Sequence, residues 1–417
     1  MKQNKFIPEL RFPGFEREWE KRNLGQFSEI VRGGSPRPIQ DFLTTKADGL
    51  NWLKIADVAV NSKYIVSTKE KVVEEALTST REVNPGDLIL SNSMSFGRPY
   101  ILKIRTCIHD GWIAIREISN ITFEEYLYYF ISSELSQSYF NTNAAGAAVK
   151  NLNADIIKLL PIYYPKTIDE QQKIADCLSS LDTVIDGHNK RLELLQEHKK
   201  GLMQQLFPQE GEKIPRLRFP EFERDGEWKE KKLGDIGSFI GGGTPNKLNE
   251  EYWVGSIPWI SSSDINEENI HNISISQYIN EKSIKESATK LIPKGSVLFV
   301  SRVGIGKLAI NKTELCTSQD FMSLVPKYAL NYFIAYYYLA KTNILKQLGQ
   351  GTSIKGFSKN DLEKFKILCP IKLDEQQKIA DCLSSLDNLI EAEGRRIEQL
   401  QLHKKGLMQK LFPVMND

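Results

Sequence analysis

The chain has 417 residues, a formal net charge of +2 and 41% hydrophobic residues, which sets an expectation of two to three globular domains. Its five cysteines show neither C-x-x-C spacing nor an accompanying histidine cluster, so they read as small core residues of a reducing compartment rather than a disulfide frame or a zinc site. The apolar segment near Lys2 and Lys5 is too short for a signal peptide, and the longest nearly apolar run, Tyr332 to Ala340, is far below a membrane span, so a cytoplasmic protein is expected.

In chain order, Leu10-Arg-Phe-Pro-Gly-Phe-Glu-Arg17, Trp19 and Leu24-Gly25 open the first half. Gly33-Gly-Ser-Pro36 follows an apolar run and predicts a turn, with the glycines expected at positive φ. Pro85-Gly-Asp-Leu-Ile-Leu90 predicts a turn and a buried strand. Gly97-Arg-Pro-Tyr-Ile101, an aromatic helix over about 123–135 and a glycine loop ending at Lys150 come next. All of it then returns: Leu217-Arg-Phe-Pro-Glu-Phe-Glu-Arg224 with Trp228, Gly242-Gly-Thr-Pro245, Lys294-Gly-Ser-Val-Leu-Phe299, Gly306-Lys-Leu-Ala-Ile310, an aromatic helix over about 330–342 and a loop ending at Lys355.

Each half runs into the same long segment. Asp169 to Pro208 and Asp374 to Pro413 are identical at 29 of 40 aligned positions. Counting His188 and Lys199 with the apolar residues, the steps alternate four and three from Ile174 to Leu206, and the second copy keeps the register from Ile379 to Leu411, which is the heptad seam of a helix that buries one stripe against another helix. Two matched helices in one chain are most simply each other's partners. Asp169 and Asp374 are expected as N-caps with Gln172 and Gln377 as capping-box partners, and Pro208 and Pro413 end the helices. An ATPase reading of Asp169-Glu170 fails for want of a Walker A sequence. The segments are therefore 1–168 globular, 169–208 helical, 209–373 globular and 374–417 helical. The fold class is α+β: two mixed α/β domains joined by two long coiled-coil helices, as a pseudo-two-fold internal repeat.

Motifs for catalysis are missing. Ser301-Arg-Val-Gly-Ile-Gly-Lys307 lacks the first glycine and the Ser/Thr of a P-loop. No methyltransferase or nuclease signature stands out, so the chain reads as a non-enzyme. What remains are polar residues at strand ends, able to pair with base edges or phosphates. In the first half they are Arg32, Arg37, Ser91, Asn92, Ser93, Arg98, His109 and Lys150; in the second, Thr244, Asn246, Lys247, Ser301, Arg302, Lys307, Gln319 and Lys355. The helices are nearly identical while 37–84 and 246–292 share almost nothing, which suits one scaffold carrying two different reading surfaces. The globular halves are +2 and +4 and each helix segment −2, a basic bias too mild to decide alone.

The duplicated L-R-F-P-x-F opening, Gly242-Gly-Thr-Pro245 with Tyr252-Trp253 and Ile257-Pro-Trp-Ile260, and the Asp-Glu-Gln-Gln-Lys-Ile helix ending in Lys-Lys-Gly-Leu-Met-Gln together resemble the specificity subunit of type I restriction–modification systems. The resemblance covers essentially the whole chain. It implies two target-recognition domains, each reading one half of a bipartite double-stranded DNA sequence. It further implies two long antiparallel coiled-coil helices that dock two methyltransferase subunits and set the half-site spacing, with restriction/translocase subunits joining the complex. No cofactor belongs to this chain; S-adenosylmethionine, ATP and Mg²⁺ are implied for the partners. The first half has Ser35 where the second has Thr244 and lacks the Trp-x-Gly-x-Ile-Pro-Trp run. A coiled-coil adaptor without sequence-specific DNA binding is the competing reading.

Overall fold

The computed structural model describes residues 6–59, 62–92, 96–144, 151–267, 269–342 and 356–413. It divides into two compact units, one of Met1–His188 with Arg396–Asp417 and the other Asn189–Arg395.

The first unit holds a five-stranded sheet in the order Glu29–Arg32, Trp112–Arg116, Leu88–Ser91, Pro99–Leu102, Tyr64–Ile65. A second sheet runs Leu43–Thr44, Glu70–Val72, Leu50–Leu53, Thr106–Ile108, Arg81–Val83. The second unit repeats the plan with Gly237–Gly241, Phe321–Pro326, Val297–Val300, Leu308–Ile310 and with Gln277–Ile279, Ile257–Ile260, Leu315–Thr317, Leu291–Ile292. Leu88–Ser91 and Val297–Val300 are buried at every residue, as continuous apolar runs at a sheet centre should be. Trp52, Trp112 and Trp259 are core residues, and Trp253 is half-buried against Trp259 at 5.0 Å. Burial pushes the Cys107 and Cys316 thiols up to about 11 and Cys369 to about 12, so these cysteines stay protonated core side chains at neutral pH.

The two long helices, Ile168–Leu206 and Leu373–Leu411, have 39 residues each, roughly 58 Å. Every predicted seam position is buried or half-buried. Within the second unit Lys199 Nζ lies 2.5 Å from Asp387 and Arg191 Nε 3.9 Å from Glu393. The partner number rises as the helix number falls, so the segments run antiparallel. Within the first unit Lys404 bonds Asp182, and Leu411 and Phe412 join one core with Ile174 and Leu178. The Phe that follows each helix plugs a globular core: Phe412 stands 5.4 Å from Phe130, and Phe207 5.7 Å from Phe333.

The helix starts correct one expectation. Each helix begins one residue earlier than Asp169 or Asp374, and those aspartates sit in the first turn, where their charge meets the positive end of the helix dipole. Gln172 and Gln377 make no capping box; they donate to Asp176 and Asp381 one turn on, at 2.8 and 2.6 Å. The glutamates are used instead. Arg11 donates from two nitrogens to Glu170 at 2.8 and 2.9 Å, and Trp19 Nε1 adds a third bond at 3.2 Å. Arg218 and Trp228 repeat this on Glu375 at 2.8, 2.8 and 3.1 Å. Gln171 and Gln376 bond the carbonyls of Pro165 and Pro370. The repeated opening and the repeated Asp-Glu-Gln-Gln are thus two sides of one lock, which fastens each domain's entry to a helix start.

Candidate nucleic-acid interface

Strand direction gathers the loops. Arg32 pairs with Ile113, Ser91 with Trp112, and Leu53 with Ile108. The chain therefore leaves three strands and turns between two others at one end of the paired sheets. The loops brought together are 33–40, 54–57 and 109–111, with Asn92 beside them. In the second unit Gly241 pairs with Met322, Val300 with Phe321, and Ile260 with Thr317. This collects loops 242–249, 261–264, 301–307 and 318–320.

The glycine pairs make the approach possible. A Cβ on Gly33 would stand 2.2 Å from the His109 carbonyl oxygen, and one on Gly242 2.1 Å from that of Ser318. Neither pair has positive φ, which corrects the sequence expectation; backbone proximity, not a left-handed turn, demands glycine here.

In the first unit Asp110 is the hub. Its carbonyl accepts Arg32 Nε at 3.1 Å and Asn92 Nδ2 at 2.9 Å. Its amide donates to Ser35 Oγ at 3.3 Å, and its carboxylate lies 3.6 Å from Arg37. The Gly111 amide donates to His109 Nδ1 at 2.9 Å, and an Asp110 carboxylate oxygen stands 3.0 Å from the same nitrogen. A cleft of about 400 Å³ is lined by Arg37, Gln40, Lys54, Glu70 and His109 among others. Arg98 is not part of it. Its guanidinium covers the Tyr100 ring at 5.9 Å, and it lines a groove with Gln137, Lys404 and Lys405.

In the second unit Asn246, Lys247, Arg302 and Gln319 are exposed, and Thr244 is half-buried. Ser301 is buried, its Oγ donating to the Asp320 carbonyl at 2.9 Å. Lys307 is turned inward onto the carbonyls of Ser262 and Ile265 at 3.2 and 3.3 Å, so it braces two loops. Ser91 and Asn92 are buried in the same way, while Arg32 and Arg37 are exposed. Ser93, Lys150 and Lys355 lie outside the described residues.

Sequence reasoning missed the 54–57 and 261–264 turns. Each follows a strand, and an aspartate three residues on caps it: Asp57 accepts the Lys54 amide at 2.9 Å and Asp264 the Ser261 amide at 2.7 Å. The signal was present as Trp52-Leu-Lys-Ile-Ala-Asp57 against Trp259-Ile-Ser-Ser-Ser-Asp264, inside stretches otherwise without similarity. Chemically, each cluster offers exposed donors on differing loops over one rigid edge. Among the described residues no group of His, Cys, Asp and Glu could hold a metal ion, and no helix is long and apolar enough to cross a membrane.

A family model described as "Type I restriction modification DNA specificity domain" matches residues 16–197 and again 225–402. The putative type I restriction enzyme MjaX specificity subunit of Methanocaldococcus jannaschii is 26% identical over 413 residues, 95% of this chain and 93% of the relative. The type I restriction enzyme MjaIX specificity subunit of the same organism is 37% identical over 179 residues, 42% of this chain and 41% of the relative. Among solved structures, the S subunit of a type I restriction–modification system from M. genitalium has a TM-score of 0.62 at 14% identity, covering 98% of this chain and all of that one.

Proposed function

Because the chain belongs to the type I restriction–modification DNA specificity family, we propose that residues 1–168 and 209–373 each read one half of a bipartite DNA target. The helical segments 169–208 and 374–417 dock two methyltransferase subunits and set the gap between the half-sites. Restriction/translocase subunits join through that complex, in the cytoplasm. S-adenosylmethionine, ATP and Mg²⁺ belong to those partners, and the chain itself is their non-catalytic specificity subunit.

One observation carries the reading: both units gather exposed polar side chains on unlike loops at the same end of the sheets, Arg32, Arg37 and Gln40 in one and Asn246, Lys247, Arg302 and Gln319 in the other, over matching helix anchors. Donors of these types pair with base edges in a major groove or with phosphates. An adaptor with no DNA sequence to read has no use for a matched frame with divergent tips.

The test is methylome sequencing of a host expressing this chain with a type I methyltransferase subunit. Exchanging residues 209–370 for a relative's should change one half of the methylated motif and leave the other. Four residues added after Asn189, about one helical turn or 6 Å, should lengthen the gap by one or two base pairs. Both halves changing together would refute separate reading, and an unchanged gap at full activity would refute spacing by the helix.

A further inference from the structure

The loop cluster of the second unit carries apolar side chains that stand far out into solvent, whereas Leu43 at the first unit's cleft is only 38% exposed. Leu248 is 92% exposed on the loop after Gly237–Gly241, and Val303 is 70% exposed on the loop after Val297–Val300. Those two strands flank Phe321–Pro326 and end at the same edge. A single exposed leucine is ordinary. Two at neighbouring loop tips, each directly after an exposed cation (Lys247-Leu248 and Arg302-Val303), are a pattern.

Both tips are held by their own loops. The Leu248 amide donates to Asn246 Oδ1 at 3.0 Å, and Trp253 Nε1 donates to the Asn246 carbonyl at 3.2 Å. Gly304 and Gly306, at φ of +92° and +102°, turn the other loop, which closes where the Val300 amide meets the Lys307 carbonyl at 3.1 Å. In the first unit the loop after Glu29–Arg32 presents Arg37, its side chain 84% exposed.

We propose that Leu248 and Val303 read thymine, by packing on C5-methyl groups in the major groove while Lys247 and Arg302 engage the adjoining phosphates. The thymine methyl is the one apolar group a base edge offers in that groove, and the neighbouring cations match a polyanion. This rests on the DNA-recognition reading above.

The full chain, bound with a type I methyltransferase subunit, is presented with its methylated target. The 209–370 exchange first assigns the half-site of the second unit. Each thymine of that half-site is then replaced by deoxyuridine, which lacks only the methyl group. Binding should weaken about fourfold at one or two positions, and Leu248→Asn or Val303→Ser should abolish that sensitivity at one of them. Both side chains are exposed enough that the variants keep the wild-type fold, checked by circular dichroism. Sequence-specific binding that ignores every deoxyuridine, a half-site without thymine, or variants as sensitive as wild type would overturn the inference while leaving DNA recognition intact. Absence of any sequence-specific binding would instead overturn the functional reading, and the inference with it.

Discussion

Asp182 in the first unit and Asp387 in the second are the same residue of the repeated helix, and most of their surroundings repeat too. Tyr129 and Tyr336 donate hydroxyls to them at 2.7 and 2.6 Å. Lys404 and Lys199 reach them from the other long helix. The third arm differs. In the first unit Lys63 donates to the Tyr129 oxygen at 3.1 Å, with Glu125 at 3.7 Å as its counter-charge. In the second, His271 Nε2 lies 2.8 Å from the Tyr336 hydroxyl and 3.2 Å from Asp387. Tyr332, at the helix position matching Glu125, stacks on the imidazole at 5.4 Å. Lys63 and Lys404 stand against Glu125 and Asp182 in one cluster; Lys199 stands against Asp387, beside the His271 imidazole, in the other. In each cluster every lysine has a carboxylate of its own, because an unpaired charge in a buried site is costly. The loop tips lie in water and need no such pairing, so they differ freely. Burial constrains charge balance and not residue identity; exposure constrains neither.

The largest effect is expected where the two units agree most. Glu375→Ala leaves Arg218, its side chain 7% exposed, without its bidentate partner and should destabilise the second unit by about 3–5 kcal/mol. Glu170→Ala should cost the first unit less, since Arg11 is 13% exposed and water can replace part of the bond. Guanidinium denaturation followed by tryptophan fluorescence measures both, and equal small shifts would make the lock ornamental.

Asp387→Asn should cost about 3 kcal/mol at neutral pH, more than Asp182→Asn, because the Asp387 side chain is 5% exposed against 22%. Burial raises the Asp387 carboxyl, but hydrogen bonds and charge from His271, Lys199 and Tyr336 outweigh it and hold the group below its usual range. The unfolded chain takes up this proton near 3.9. The stabilisation is therefore complete above that pH and is lost as pH falls through the lower folded value. Denaturation at pH 7 and between pH 5 and 3 should show the variant losing less than wild type on acidification. Parallel losses would put the acid sensitivity elsewhere.

A smaller effect addresses the third arm. His271→Lys places a second cation on Asp387 without a matching acid and should destabilise by about 1–3 kcal/mol. Adding Tyr332→Glu supplies the acid that the first unit has at Glu125, and should recover part of the loss through a favourable coupling energy. Additive effects in the double variant would show that charge balance is not what the two clusters share.

The repeat, the heptad seam and the gathering of differences into 37–84 and 246–292 were all legible in the chain, because they are properties of short periodicity and of one half compared with the other. Leu178 and Leu383 are buried where the seam requires for that reason. Tertiary structure alone decided what the repeated side chains touch. Arg11 meets Glu170 across 159 residues, and no local rule chooses that partner over the capping box the sequence suggested. Gly33 and Gly242 answer to carbonyls of His109 and Ser318, in loops 76 residues away, so their role is an approach distance rather than a dihedral angle. Lys307 turns onto Ser262 and Ile265 while Arg302, five residues earlier, faces water, because the sheet pairing sets a loop with free carbonyls beside one and solvent beside the other. Periodicity reports which face is buried, whereas the contact made there depends on a segment that only folding brings near.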